Sequence, residues 1–399
     1  MLREGESGSG VGFSRLEAIS HDLAPHYAAL RAIRTRRRLV ASELWARIGA
    51  EVERVTTAVE RGDHRLAEGR PRQAGRLRVA SWNIQRGARF AELVRALGDD
   101  PLLAAADVLI LVEVDQGMGR SGNRHVAREL ADALGMNFAF APSYLALEDD
   151  FGENPDQLPS TLALAGQAIL SRLPITRAEN VDLPELRDKF SSSEKRLGKK
   201  RALLVELALG DAPLTVGGCH LDSNASPAQR ATQLEFLLGR AEAWGGGRAL
   251  VGGDMNTTTY DNSSTWALAR DLLHKAFVLG FRGTIERYMV PERYAERPVF
   301  ATHERHGFSV EGFNDRGRGS YVYELNSPYA IQIAEKAVGR LITSIIRWRL
   351  RPWGGRVPAR LDWFAGRGVV PAWSGVATVE PTDGIPVSDH SPIVVDLAV

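Results

Sequence analysis

Cysteine is nearly missing from this 399-residue chain. Cys219 stands alone, so no disulfide can close within it and no thiolate cluster can hold a metal. Long apolar runs are missing too. No stretch of roughly 18 uninterrupted apolar residues occurs, so a membrane-spanning helix is not expected. No apolar segment follows the charged start Met1-Leu2-Arg3-Glu4, so no secretory leader is expected and the cytoplasm is the expected compartment. An excess of one charge is also lacking. Fifty Lys and Arg against 49 Asp and Glu leave a net charge of +1, so no global field draws the protein to nucleic acid or anionic lipid. Any such attraction has to come from local patches. The chain carries no repeat at solenoid or propeller periods, no Gly-rich phosphate loop and no Ser-nucleophile elbow.

What is present is an ordinary globular composition, 44% hydrophobic and 25% charged, in a length that allows one large domain or two smaller ones. Residues 1–10 are rich in Gly, Ser and Glu and are expected to be disordered. Residues 14–61 read as helix, with Val40, Leu44, Ile48, Val52 and Val55 at spacings of three and four. Arg34, Arg36, Arg37 and Arg38 there make either a solvated helix face or a phosphate-contacting arm. The polar stretch 62–75 reads as a linker.

From Leu77 onward short apolar runs alternate with helical stretches. Strands are expected at 77–84, 108–113, 166–171, 202–209, 213–220, 248–253, 360–365, 374–380 and 392–398, and helices at 88–97, 124–134, 228–243 and 263–279. Some strands arrive as hairpins, such as 202–209 and 213–220 joined by Gly210-Asp211-Ala212, and others follow helices. That mixture favours packed sheets covered by helices over a purely parallel, doubly wound sheet. Residues 280–357 interrupt the rhythm with a loop-like stretch and a helix expected over 328–350. That helix carries Lys336, Arg340, Arg347 and Arg351 on one side. It is either a packed helix with a wet basic side or an interfacial helix whose basic residues meet phosphates.

The chemistry-bearing residues gather at strand ends. Asn83 closes the run Leu77–Ile84, where an amide can meet a phosphate oxygen or a metal-bound water. Glu113 ends the apolar run Val108–Val112, and a carboxylate there needs a cation: an Arg, or a hard divalent metal with oxygen ligands. His220 ends the strand Leu214–Cys219 and, as an imidazolium, can stabilise a charged transition state. Gly252 and Gly253 allow a close backbone approach. Asp254 and Asn256, two apart, point to one side of an extended segment. Near the end come Asp362 and the run Ser388-Asp389-His390, which together supply a carboxylate to orient an imidazole and another to hold metal or water. Carboxylates, amides and imidazoles of this kind suit a hard metal and an activated water acting on an anionic ester. The loop Arg187-Asp188-Lys189 through Lys195-Arg196 to Lys199-Lys200-Arg201 is either solvated or a phosphate clamp at the mouth of the site.

In order and spelling these pieces resemble the endonuclease/exonuclease/phosphatase superfamily of DNase-I-like, metal-dependent phosphodiesterases. The residues that carry the resemblance are SWNI (81–84), EVD (113–115), AILSRLPI (168–175), HLDS (220–223), GGDMN (252–256), LDWF (361–364) and SDH (388–390). The resemblance runs from about Leu77 to Val399, so it divides the chain into an N-terminal helical extension and linker (1–76) and a domain (77–399) with an insert at about 280–357. It implies an α/β fold, a four-layer sandwich with two central, mostly antiparallel sheets, and Mg²⁺ or Mn²⁺ as cofactor.

By match to the motifs, Glu113 would be the main metal ligand, with Asn83 positioning metal and phosphate and Asp389 binding or orienting near the metal. His220 would stabilise the transition state, and Asp254 would orient the water or assist the leaving group, with Asn256 on the phosphate. His390, held by Asp362, would be the base or electrostatic partner. The partners implied are phosphoester substrates: nucleic acid, a lipid head group or a small diester. The expected function is a metal-dependent phosphodiesterase or nuclease; the alternatives are a lipid head-group phosphodiesterase or phosphoinositide-type phosphatase, with 328–350 in peripheral contact with a membrane, and a catalytically silent binding module on the same fold. The chain departs from the family's spelling at Gln167, Cys219 and Met255, none of which removes a charged catalytic group.

Overall fold

The structure is a computed structural model. It describes residues 12–147, 158–192, 195–245, 247–257, 278–324, 339–381 and 383–399, with isolated positions between. Among the described residues there are sixteen strands: β1 (Phe13–Glu17), β2 (Glu60–His64), β3 (Arg76–Arg86), β4 (Val108–Gln116), β5 (Asn137–Ala146), β6 (Leu164–Ser171), β7 (Ile175–Asp182), β8 (Arg196–Gly198), β9 (Arg201–Leu207), β10 (Leu214–His220), β11 (Ala249–Asp254), β12 (Tyr321–Glu324), β13 (Arg356–Ala359), β14 (Asp362–Arg367), β15 (Val370–Val376) and β16 (Ile393–Ala398). The large sheet runs β1-β2-β5-β6-β4-β3-β16-β15, with β8 added to β5; the smaller runs β14-β11-β10-β9-β7; β12 and β13 pair separately. Each of the two main sheets holds one parallel pair, β3 with β4 and β10 with β11, and is otherwise antiparallel.

Apolar residues from both sheets, among them Val79, Ile110, Ile169, Val205, Val216, Leu250, Phe364 and Val395, fill the space between them. Helices Glu43–Thr57, Phe90–Asp99 and Val126–Leu134 cover the outer face of the large sheet, and Pro227–Ala243 with Arg297–Arg305 covers that of the small one. The result is the four-layer sandwich expected. A strand with both faces buried reads as a continuous apolar run, which is why β3, β4, β9, β10, β11 and β16 stand where the sequence placed them.

Several expectations need correction. Residues 14–61 are not one helix. They form β1, short helices at Tyr27–Ala32 and Arg36–Val40, and the helix Glu43–Thr57, opened by the Ser42 hydroxyl accepting from the Trp45 N–H. The stretch 62–75 begins as strand, since β2 pairs with β5 and carries β1 on the sheet's edge. In the basic cluster Arg34, Arg37 and Arg38 are exposed, as a solvated face requires, and Arg36 pairs with Glu185. The strand expected at 374–380 runs from Val370 to Val376 instead. The chain leaves the small sheet at Gly368 (φ +63°) and enters the large one, and a Cβ at Gly368 would meet the Gly247 carbonyl at 2.2 Å. Most of the helix expected at 263–279, and 328–338 of the later one, lie outside the described residues; the part seen is Arg340–Leu350. No helix among the described residues is long and apolar enough to cross a membrane.

Candidate active site

The topology brings the polar strand ends to one edge. β3 and β4 are parallel, so Asn83 and Glu113 emerge side by side. β10 and β11 are parallel, and His220 is the register partner of Asp254. β14 runs antiparallel to β11, so its first residue, Asp362, faces the last residue of β11, Asp254. β16 begins at the same edge of the large sheet, pairing Ile393 with Ser81, so Asp389 and His390 arrive just before it.

The glycines of β11 explain the tight fit. A Cβ at Gly252 would strike the Phe364 ring at 2.6 Å, and one at Gly253 (φ +140°) the Cys219 carbonyl at 2.0 Å. The close approach read from the sequence is therefore to neighbouring strands. Register shifts in β3 and β4 coincide with positive φ at Gln85, Arg86 and Glu113 (+53°). Such left-handed residues cost of order 1–3 kcal/mol and persist where the surroundings fix them. Asn256 also has positive φ (+48°), so it is not extended as expected; Asp254 Oδ1 accepts its N–H at 2.8 Å and turns the chain.

Asn83, Glu113, His220, Asp254, Asn256, Asp389 and His390 line one cleft of about 420 Å³. Asp362 lies behind it. His390 Nδ1 and Asp362 Oδ2 are 2.8 Å apart, and the Ser320 hydroxyl donates to that same oxygen at 2.7 Å. Asp362 Oδ1 is buried without a hydrogen-bond partner. On the cleft side, His390 Nε2 faces Asp254 Oδ2 at 3.7 Å and His220 Nε2 lies 3.6 Å from the same oxygen. The Asn83 amide donates to Asp254 Oδ2 at 3.2 Å and to Glu113 Oε1 at 3.3 Å. Asn256 Nδ2 donates to the Leu221 carbonyl at 2.9 Å. Ser388 binds the Asn83 carbonyl at 2.6 Å, and Trp82 Nε1 binds the His390 carbonyl at 2.8 Å, so the final loop is tied to β3.

Charges follow from this geometry. Burial alone would lower His390, but Asp362, Asp254 and Asp389 hold it well above the ordinary histidine value. Burial, with Asp362 adding, raises Asp254 against the opposing pull of His390 and His220. Burial would likewise raise Glu113, yet His220, Arg86, Lys200 and His390 bring it down to about 2. His220 is pushed down to about 4 by burial and then by Lys200. At neutral pH it is therefore an N–H donor, not the imidazolium the sequence suggested.

The donors here suit a hard divalent cation. Glu113 is ionised, Asp389 is exposed at the rim, and the side-chain oxygen of Asn83, Oδ1, keeps a lone pair beyond the one that accepts the Gln85 N–H. All are oxygens, and Cys219 is buried with its thiol pushed up to about 12. Asp254, Asp362 and His390 also bring ligand atoms within 4.8 Å of one another. There, however, His390 Nδ1 and Asp362 Oδ2 are committed to each other, so that trio fits proton handling better than metal ligation.

Other residues also belong to the cleft. Lys189, Arg196 and Lys200, from the basic loop, line it, as do Arg86, Asp222 and Tyr321. Lys200 is brought down to about 8 by burial, with Asp222 opposing. Ser320 and Tyr321 had no signal in the sequence: a lone Ser-Tyr in an insert carries no pattern. Tyr321 sets its ring edge-on to His390, centroids 4.8 Å apart.

A family profile described as the Endonuclease/Exonuclease/phosphatase family matches residues 80–390. No curated protein matches the chain. Among solved structures, the endonuclease/exonuclease/phosphatase from Beutenbergia cavernae DSM 12333 is 16% identical, covers 81% of this chain and 72% of its own, and has a TM-score of 0.48. D. rerio TDP2 complexed with single-strand DNA product is 15% identical over 81% of this chain and 99% of its own, TM-score 0.46. The human Nocturnin catalytic domain with bound sulfate is 16% identical over 82% and 94%, TM-score 0.41.

Proposed function

The chain belongs to the endonuclease/exonuclease/phosphatase family, and from that premise we propose that it is a metal-dependent hydrolase of phosphodiester type, cutting a P–O bond by in-line attack of water. The observation that carries the reading is the line Asp362–His390–Asp254. One imidazole is anchored through Nδ1 at 2.8 Å, and its Nε2 is turned to a second buried carboxylate at the cleft floor.

Glu113, Asn83 and Asp389 would hold Mg²⁺ or Mn²⁺, which would supply positive charge at the phosphoryl oxygens. Asp254 orients the attacking water and receives its proton. Its elevated pKa suits that task, and the Asn256 N–H, Asn83 amide and His220 fix its position. His390, held as imidazolium by Asp362, faces the charge that builds on phosphorus as the leaving oxygen departs opposite the water. Asn256 and the cations Lys189, Arg196 and Lys200 grip the phosphate before reaction.

Hydrolysis of bis-p-nitrophenyl phosphate and p-nitrophenyl phosphate, with Mg²⁺, Mn²⁺ or chelator, tests this. Turnover of the diester that needs metal and falls in His390→Ala is expected. Turnover that survives chelation, or that His390→Ala leaves unchanged, would overturn it.

A further inference from the structure

The helix Arg340–Leu350 has two apolar sides. At about 100° per residue, Thr343, Ile346 and Leu350 share one side. Thr343 and Leu350 are buried, and Leu350 packs with Ile285 and Val357, with Ile346 against them. Leu341, Ile345 and Trp348 fall on roughly the opposite side, and they are 76%, 49% and 59% exposed. Among the described residues the fold covers the first side and leaves the second exposed. Arg340, Arg347 and Arg351 run along one flank of the open stripe. Arg349 lies on the other, stacked on Trp348 with 5.5 Å to the ring centroid. Residues 340–351 contain no Asp or Glu, and of the flanking arginines Arg340 is paired with Glu335 at 3.3 Å, one turn earlier. An apolar stripe holding Trp, edged by Arg on both flanks, is what a helix lying in the boundary between head groups and acyl chains requires.

The helix is also fixed to the cleft. Val357, which packs on Leu350, belongs to β13, and β13 pairs Ala359 with Tyr321 of β12. Tyr321 lines the cleft against His390, and Leu361, just past β13, lines it too. The open stripe is therefore mounted on the strand pair that forms one wall of the site.

We propose that this outer side docks the protein on a bilayer surface rich in anionic phospholipid, the stripe entering the boundary layer and the arginines meeting lipid phosphates. A phosphoester in the lipid layer would then be presented to the adjoining cleft; that consequence rests on the hydrolase reading, whereas the docking itself does not.

Vesicle flotation at low salt tests the docking. The full chain is mixed with vesicles of phosphatidylcholine alone or with added phosphatidylglycerol, beside the variant L341S/I345S/W348S and the variant R347E/R351E. The wild type is expected to float with the anionic vesicles, roughly tenfold more than with phosphatidylcholine alone, and each variant to lose roughly tenfold. Unchanged thermal midpoints show that the variants are folded, and unchanged turnover of a soluble diester reports separately on the cleft. A wild type that stays soluble on anionic vesicles, or a triple variant that floats as well, would overturn the proposal. So would sedimentation showing a dimer that L341S/I345S/W348S dissociates, because the stripe would then belong to a second copy.

Discussion

The Glu60–His125 pair and the Asp362–His390 pair are built from the same two groups at nearly the same separation, 2.7 and 2.8 Å. Both are buried, and they do opposite things. Both Glu60 carboxylate oxygens are engaged: Oε1 meets His125, while Oε2 accepts from the Ile19 N–H at 2.8 Å and the Gln116 amide at 3.2 Å. His125 Nδ1 accepts the Arg128 N–H at 3.2 Å, which fixes the proton on Nε2, and Phe138 and Phe140 close over the ring edge-on. The other pair is left unfinished. Asp362 Oδ1 has no partner, and His390 Nε2 points past the pair to Asp254 and the cleft. A buried ion pair is weak evidence of function by itself; unmet capacity facing an open cleft is what separates a site from a staple.

The sharpest way to break that contrast is substitution at the open end. Asp254→Ala is expected to cut diester turnover about a thousandfold or more while the urea midpoint stays near that of the wild type. An equal loss of stability would make Asp254 structural. At the closed end the expectation reverses. His125→Ala takes away the Nε2–H that Glu60 Oε1 accepts and leaves that buried oxygen short of a donor, which should cost about 1–3 kcal/mol in urea unfolding, with turnover per folded molecule unchanged.

A third histidine gives the contrast a pH arm. His303 is buried, and burial pushes it down to about 4 against the opposing effect of the Val299 backbone. Between pH 6.5 and 4 the unfolded chain takes up a proton that the folded chain refuses, so stability falls as pH falls through that window, by up to about 3 kcal/mol. His303→Leu should flatten the acid side of the stability profile there, and an unaltered profile would show that the burial is not felt. The smallest effect is expected at the rim. Lys200→Ala should raise KM about tenfold with kcat little changed, as for a group that grips phosphate equally before and during reaction.

The two regions were unequally legible in the sequence. The open end was readable because its polar groups stand at or just beside the ends of apolar strands, where a charge has no packing reason to be, and all eight expected side chains converge at one end of the two packed sheets. The closed end was hidden. β2, with the sequence Glu-Arg-Gly-Asp-His, buries Glu60, Gly62 and His64, so its inward face is polar and gave hydropathy nothing to register. Its partner β5 is buried throughout but contains Pro142, which argues against a central strand; a register shift between Pro142 and Tyr144 absorbs it. The helical reading of 14–61 failed for a related reason. Its apolar spacing is real only after Ser42, and what precedes is held by contacts far along the chain, such as the Tyr27 hydroxyl on the Thr161 and Leu162 carbonyls. Ser320 was invisible because its task, fixing Asp362, exists only in three dimensions.

In the proposed reading the metal is held in the open cleft through Glu113 and not at the closed Glu60–His125 pair. Calorimetric titration with Mn²⁺ of the wild type, Glu113→Gln and Glu60→Gln tests it most directly. Binding is predicted in the wild type and in whatever fraction of Glu60→Gln folds, and it should be lost in Glu113→Gln. Undiminished binding by Glu113→Gln, or none by the wild type, would contradict the account.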